Sequence, residues 1–169
     1  NVLNFYLKKI LDSNVYDVAK ETPLDFATNL SEKLNNKIFL KREDTQPTFS
    51  FKIRGAYNKI VNLDAKDLKK GIIAASAGNH AQGVSLAANR LGISSTIVMP
   101  NTTPRVKVEA VKQLGSKIII SGDSYSDAYE YAMQVGNKEK LVFIHPFDDD
   151  DVIAGQGTVG MEILRQSSS

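Results

Sequence analysis

The chain has 169 residues, 42% of them hydrophobic, with 21 basic against 19 acidic side chains. That length suits one ordinary domain or a domain plus pieces of another, and the composition can supply a core. The near-even charge argues against a nucleic-acid surface, and the absence of cysteine removes disulfides and thiolate metal sites. The opening Asn1-Val2-Leu3-Asn4-Phe5-Tyr6-Leu7 lacks a basic region followed by a long apolar run, so no signal peptide is expected. No stretch approaches the ~18 apolar residues of a membrane span. The expectation is a soluble, cytoplasmic protein with no membrane or nucleic-acid partner, or an organelle protein whose import sequence has been removed.

Taken in order, Leu3, Tyr6, Leu7, Ile10 and Leu11 fit one face of a helix, and Val15 to Ala19 reads as a connector. Leu30 and Leu34 suggest a short helix stopped by Asn35-Asn36, and residues 37–42 alternate like a strand. Pro47 keeps Gln46 out of helical geometry. Beyond it, Ile53, Ala56, Tyr57, Ile60 and Val61 repeat at the spacing of a buried helix face running to about Leu63. Residues 71–75 read as a strand, and Asn79 to Leu91 as a helix closed by Gly92. Residues 95–99 form a strand closed by Pro100. A helix runs from near Pro104 to Gly115, and residues 117–120 are a strand. A helix from Ser124 to Val135 is expected to stop at Gly136-Asn137, followed by a strand over 141–144 and a mostly helical Val152 to Leu164. The remaining Gln166-Ser167-Ser168-Ser169 reads as a polar tail. This alternation predicts an α/β fold: an open, mostly parallel sheet with helices on both faces, binding ligands at the carboxyl ends of its strands.

Lys52 sits where a polar loop becomes a helix, so its ammonium meets the positive end of the helix dipole and partial burial. Both favour the free amine, the form of a Schiff-base nucleophile. A solvated lysine at a helix start is the plain alternative. Ser76-Ala77-Gly78-Asn79-His80 ends a strand and opens a helix, where unpaired N–H groups can hold a carboxylate or phosphate. An ordinary cap is the competing reading. Gly155-Gln156-Gly157-Thr158-Val159-Gly160 formally fits a dinucleotide fingerprint, but the acidic Asp148 to Asp151 precedes it instead of a strand. Those glycines are expected to let a helix pack against another backbone, and the aspartates to form a solvated helix start. Asp123 or Ser124 is expected to cap the next helix. Two histidines without cysteine are too few for a typical zinc site, so no metal is expected.

Together, Ser50-Phe51-Lys52-Ile53-Arg54-Gly55-Ala56 and Ser76-Ala77-Gly78-Asn79-His80-Ala81-Gln82-Gly83 resemble the threonine dehydratases. These are pyridoxal-phosphate enzymes of the tryptophan-synthase β group, fold type II. The resemblance continues through Val98-Met99-Pro100 and Val152-Ile153-Ala154-Gly155-Gln156-Gly157-Thr158. Lys41-Arg42-Glu43-Asp44 with Gln46-Pro47 looks like the biosynthetic, isoleucine-pathway branch.

The resemblance implies a lyase that deaminates L-threonine to 2-oxobutanoate and ammonia, with pyridoxal 5'-phosphate as cofactor and a homo-oligomer at full length. Lys52 would carry the cofactor and act as base at Cα, and Asn79 would hydrogen-bond the cofactor ring oxygen. Ser76, Ala77, Gly78, Asn79 and His80 would surround the substrate carboxylate. Phe51, Pro146 and Phe147 would line the cavity. Serine racemases of the group typically carry Ser-Ser-Gly-Asn-His; Ala77 stands at the second serine and has no proton to give, which favours elimination. A catabolic threonine/serine dehydratase, a serine racemase, or a truncated non-catalytic fragment are the alternatives. The resemblance also implies domains: 1–50 as opening segments of the large domain, 51–150 as the small α/β domain and 151–169 as a helix returning to the large one. The family's phosphate-cradling glycine loop is expected after a further strand and is not among these residues.

Overall fold

The computed structural model describes residues 2–167. Ser168 and Ser169 of the expected tail, and Asn1 of the expected leader-free start, lie outside the described residues. In chain order the elements are α1 (Val2–Leu11), β1 (Leu24–Phe26), α2 (Thr28–Leu34), β2 (Phe39–Lys41), a 3-10 turn (Glu43–Thr45), α3 (Lys52–Val61) and α4 (Ala65–Lys70). There follow β3 (Ile72–Ala75), α5 (Asn79–Leu91), β4 (Ser95–Met99), α6 (Arg105–Gln113), β5 (Lys117–Ile120), α7 (Tyr125–Glu139), β6 (Val142–Phe143) and α8 (Asp150–Ser167).

The main sheet has four strands in the order β5-β4-β3-β6, and every pairing is parallel. Alternating side chains take opposite faces of a strand. Ile72, Ala74, Ile97 and Met99 accordingly join a core with Ile53, Ala56 and Ile60 of α3 and Ala81, Val84 and Ala87 of α5. Ile73, Ala75 and Val98 face the other way, onto Ala128 and Ala132 of α7. Helices thus cover both faces, and the α/β class expected from the alternation holds. β1 and β2 form a separate antiparallel pair.

Several expectations need correction. β1 and α4 were not legible as elements; α4 is capped by Asp64, which accepts from the Asp67 N–H. α7 continues through Gly136 and Asn137 to Glu139, with Lys140 in the left-handed region at φ +58°. Gly136 serves close packing instead of termination: a Cβ there would lie 3.3 Å from Ile73 Cγ2. The apolar face of α1 is largely open, with Leu3, Leu7 and Leu11 exposed. α1 instead meets α8 through Tyr6, which donates to Asp150 (2.7 Å), and Lys9, paired with Asp151 (2.7 Å). The Val15–Ala19 connector contributes Val15 and Ala19 to the core. Gln166 is no loose tail: its amide donates to Glu21 (3.1 Å) and to the Thr22 carbonyl (3.0 Å). Among the described residues, no helix is long and apolar enough to cross a membrane.

Candidate active site

Gln46 is extended before Pro47 (φ −61°, ψ 157°). Its amide is fixed to the Lys20 backbone from both sides, accepting at 3.0 Å and donating at 2.7 Å. The chain then passes Phe49 at φ +56° and enters α3 at Lys52. Lys52 is half-buried. Its Nζ donates to the Pro146 carbonyl at 2.7 Å and lies 5.4 Å from the Phe51 ring centroid. Burial lowers its pKa from the ordinary lysine value. α5 presses against the same backbone: a Cβ on Gly83 would stand 3.1 Å from the Lys52 carbonyl.

β3 ends by passing a sheet hydrogen bond to Ser76, whose N–H donates to the Val98 carbonyl (3.0 Å). The Ser76 hydroxyl accepts from Gly78 N–H at 3.2 Å, so the loop turns on itself before α5. Gly78 precedes the helix without a side-chain cap, and space beside it is open: nothing lies within 4 Å of a Cβ built there. The N–H groups of Asn79, His80 and Ala81 belong to a first turn that has no intrahelical acceptors. Asn79 is exposed at that turn. His80 is buried, and its Nε2 meets the Ile144 carbonyl at 3.0 Å. Its ring is therefore turned into the protein, leaving only its N–H for an anion. Phe147 is 64% exposed, its ring 4.7 Å from that of His145. Phe147, His145, Tyr125 and Tyr129 line a groove of about 360 Å³ that includes neither Lys52 nor the α5 start.

Two residues past Lys52, Arg54 is fully buried. Its guanidinium donates to Glu43 (2.8 and 2.7 Å), Glu162 (2.6 and 2.9 Å), Thr158 (3.1 Å) and the Lys20 carbonyl (3.1 Å). Burial opposes its charge, but Glu43 and Glu162 outweigh burial and raise its pKa. Burial likewise opposes the Glu162 charge, and Arg54, Lys41 and Tyr16 hold its carboxyl below the ordinary 4.5 all the same. Sequence reasoning missed this network. The run 41–44 marked a branch of the family, but nothing local announced that Glu43 would meet Arg54.

The acidic run is less solvated than expected. Asp149 accepts from Asp151 N–H (2.9 Å) and Val152 N–H (3.1 Å), capping α8, and pairs with Lys59 (2.8 Å). No group of three or more acidic, histidine or cysteine side chains among the described residues could hold a metal. Gly155 and Gly157 lie within α8, not in a nucleotide loop. A Cβ on Gly155 would come within 2.7 Å of the Arg54 carbonyl and of Gly55 Cα, so the two helices cross backbone to backbone.

A half-buried amine with a lowered pKa, set near an uncapped helix start with open space, fits a carbonyl-bearing, anionic cofactor. Residues 15–168 match the family described as pyridoxal-phosphate dependent enzymes, and the chain belongs to that family. Within it, the chain is 58% identical over 164 residues to the biosynthetic L-threonine dehydratase of Burkholderia multivorans, covering 95% of this chain and 32% of that protein. It is 58% identical over 161 residues to the chloroplastic biosynthetic threonine dehydratase 1 of Solanum lycopersicum, covering 95% and 27%. The solved structure of the processed form of threonine deaminase isoform 2 from Solanum lycopersicum superposes with a TM-score of 0.92 at 52% identity, covering 97% of this chain and 48% of that one. The chain thus spans a third or less of these curated relatives and about half of the solved chain. Its fold is that of the type II pyridoxal-phosphate enzymes.

Proposed function

We propose that this chain carries the cofactor lysine of a threonine ammonia-lyase, converting L-threonine to 2-oxobutanoate and ammonia at the head of isoleucine synthesis. The observation that supports it most is the Lys52 amine: partly dehydrated, held by the Pro146 carbonyl, at a helix start packed against α5. Lys52 would hold pyridoxal phosphate and move the proton at substrate Cα. The bound cofactor would supply the electron sink for the charge left there. Ser76, Ala77, Gly78, Asn79 and His80 would bind the substrate carboxylate through the backbone N–H groups at the α5 start, the Asn79 amide taking the ring oxygen. Phe51 and Pro146 flank the amine; Phe147 would close the cavity from its exposed position. Ala77 offers no proton on the opposite face, which supports elimination over racemisation; D-serine formed from L-serine as fast as elimination would contradict this.

On the same reading, residues 51–150 are the small domain and 1–50 with 151–169 belong to the large one. The full-length protein would be a homo-oligomer of the cytoplasm, or of an organelle where an import sequence has been removed. The test is the visible spectrum of the chain incubated with pyridoxal phosphate and desalted, beside Lys52→Ala. A band retained only with Lys52 present, and altered by L-threonine, is expected. Equal loss of the cofactor from both proteins would overturn the reading for this chain.

A further inference from the structure

His80 occupies the second position of α5 and is 4% exposed. The Ile144 carbonyl can only accept, so the Nε2 that faces it at 3.0 Å carries the proton. Nδ1 is then the lone-pair nitrogen, buried and without a hydrogen-bond partner. Protonating it would place an unpartnered N–H and a charge beside two other basic side chains, Lys52 and His145. Burial, with those two neighbours and against the Ile144 bond, pushes its pKa down to about 4. At neutral pH the ring is a neutral, single tautomer with no donor left to give. It is neither a general acid nor a carboxylate ligand.

What the ring does hold is a piece of chain. Ile144 extends β6 by one bond, its N–H donating to the Ile73 carbonyl at 2.9 Å, and its own carbonyl is taken by His80. Two residues on, the Pro146 carbonyl receives the Lys52 amine at 2.7 Å. Little slack separates the two carbonyls. Pro146 has a fixed φ. His145 Nδ1 accepts from Phe147 N–H (3.2 Å) and Asp148 N–H (2.7 Å), closing the turn behind it.

The geometry points to His80 as a positioning residue for Lys52: its ring ties the end of β6 to the start of α5 and so sets the Pro146 carbonyl against the Lys52 amine. This deepens, and rests on, the assignment of Lys52 as the reactive amine. If the segment lifted away, water would replace the lost carbonyl at small net cost. The amine would meanwhile regain hydration, and burial is the cause of its lowered pKa. Loosening the segment therefore moves Lys52 towards an ordinary lysine.

The test is competitive acetylation of the cofactor-free chain with limiting acetic anhydride across the lysine titration range, read at Lys52 by mass spectrometry. His80→Phe keeps an aromatic ring without the donor. It should raise the Lys52 midpoint, read as a fall in labelling at every pH below both midpoints. His80→Gln, whose Nε2–H can reach the same carbonyl, should retain the wild-type profile. A wild-type profile in a His80→Phe chain with a native far-UV spectrum would overturn the assignment, as would equal shifts in both variants, which would make the effect one of packing. If His80→Phe does not fold, ¹⁵N imidazole shifts of the unmodified chain at neutral pH decide. The neutral Nε2–H tautomer supports the strut, and an imidazolium or an Nδ1–H form removes it. None of these readouts needs cofactor, so failure of cofactor retention by Lys52 would be seen separately.

Discussion

The crossing of α3 and α8 sets up a paired experiment on one helix. At Gly155 a Cβ would lie 2.7 Å from the Arg54 carbonyl oxygen, 2.7 Å from Gly55 Cα and 2.9 Å from the Arg54 carbonyl carbon. All three are backbone atoms, so no side chain can swing away, and α3 and α8 must separate. Overpacking of this kind costs about 1–3 kcal/mol. Replacing glycine by alanine in a helix returns up to about 1 kcal/mol. Contacts under 3.0 Å to backbone put the cost at the upper end of that range, so Gly155→Ala should lose a net ~2 kcal/mol. Gly160 lies on the same helix with nothing within 4 Å of its Cβ position. Gly160→Ala meets no opposing contact and should gain up to about 1 kcal/mol. Urea unfolding of the two variants and the parent, analysed at a common slope, reads the difference as oppositely displaced midpoints. Equal stabilisation by both substitutions would refute the close crossing, because only propensity would then be acting.

Ser124 caps α7 by accepting from Asp127 N–H while the Asp127 carboxylate receives the Ser124 N–H. Ser124→Ala should cost about 1 kcal/mol in the same unfolding assay, and an unchanged midpoint would show the cap to be dispensable. The Glu162 carboxyl is held below its ordinary 4.5 in the folded chain. The unfolded chain thus takes up its proton first, so this contribution is complete above the ordinary value and is lost as pH falls through the folded one. Urea midpoints should fall steadily as pH drops below the ordinary 4.5 of the carboxyl, and should fall less in Glu162→Gln. Identical acid profiles for the two would place the acid sensitivity elsewhere.

What the sequence disclosed follows the range over which each signal acts. The bounds of α5 and β4 were readable because Gly92 and Pro100 punctuate them locally, and Gly92 does adopt a left-handed φ of +67°. Gly136 has the same composition signal but a different cause, since the Ile73 side chain on the sheet face beneath α7 decides it. β1 is three residues long and none is fully buried, so no periodicity marks it until Phe39–Lys41 arrives to pair with it. The site divides in the same way. Lys52 and the Ser76–His80 loop were visible because chemistry is written in their residue types. The Pro146 carbonyl and the Ile144 carbonyl were not, because a backbone oxygen has no letter of its own.

The same distinction explains why α3 needs more than its apolar face. Ile53, Ala56 and Ile60 are fully buried and would stabilise the helix in several neighbouring registers. Its polar residues would not. Asn58 accepts from Asn14 N–H (2.9 Å) and donates to the Asp151 carbonyl (2.7 Å), Tyr57 donates to Asp17 (2.8 Å), and Arg54 forks onto Glu43 and Glu162. A buried ion pair adds little net stability over apolar residues, yet removing one partner typically costs about 3–5 kcal/mol because the other is left uncompensated. The fork is therefore expected to act as a register lock two residues from Lys52. Arg54→Ala should show the full loss in urea. Arg54→Lys separates the two roles: it keeps the charge but not the planar fork that serves both carboxylates. It should lose less stability than Arg54→Ala, while the Lys52 labelling midpoint moves upward as α3 loosens. An unmoved midpoint beside a measurable loss of stability would mean that the network supports the fold without orienting the amine.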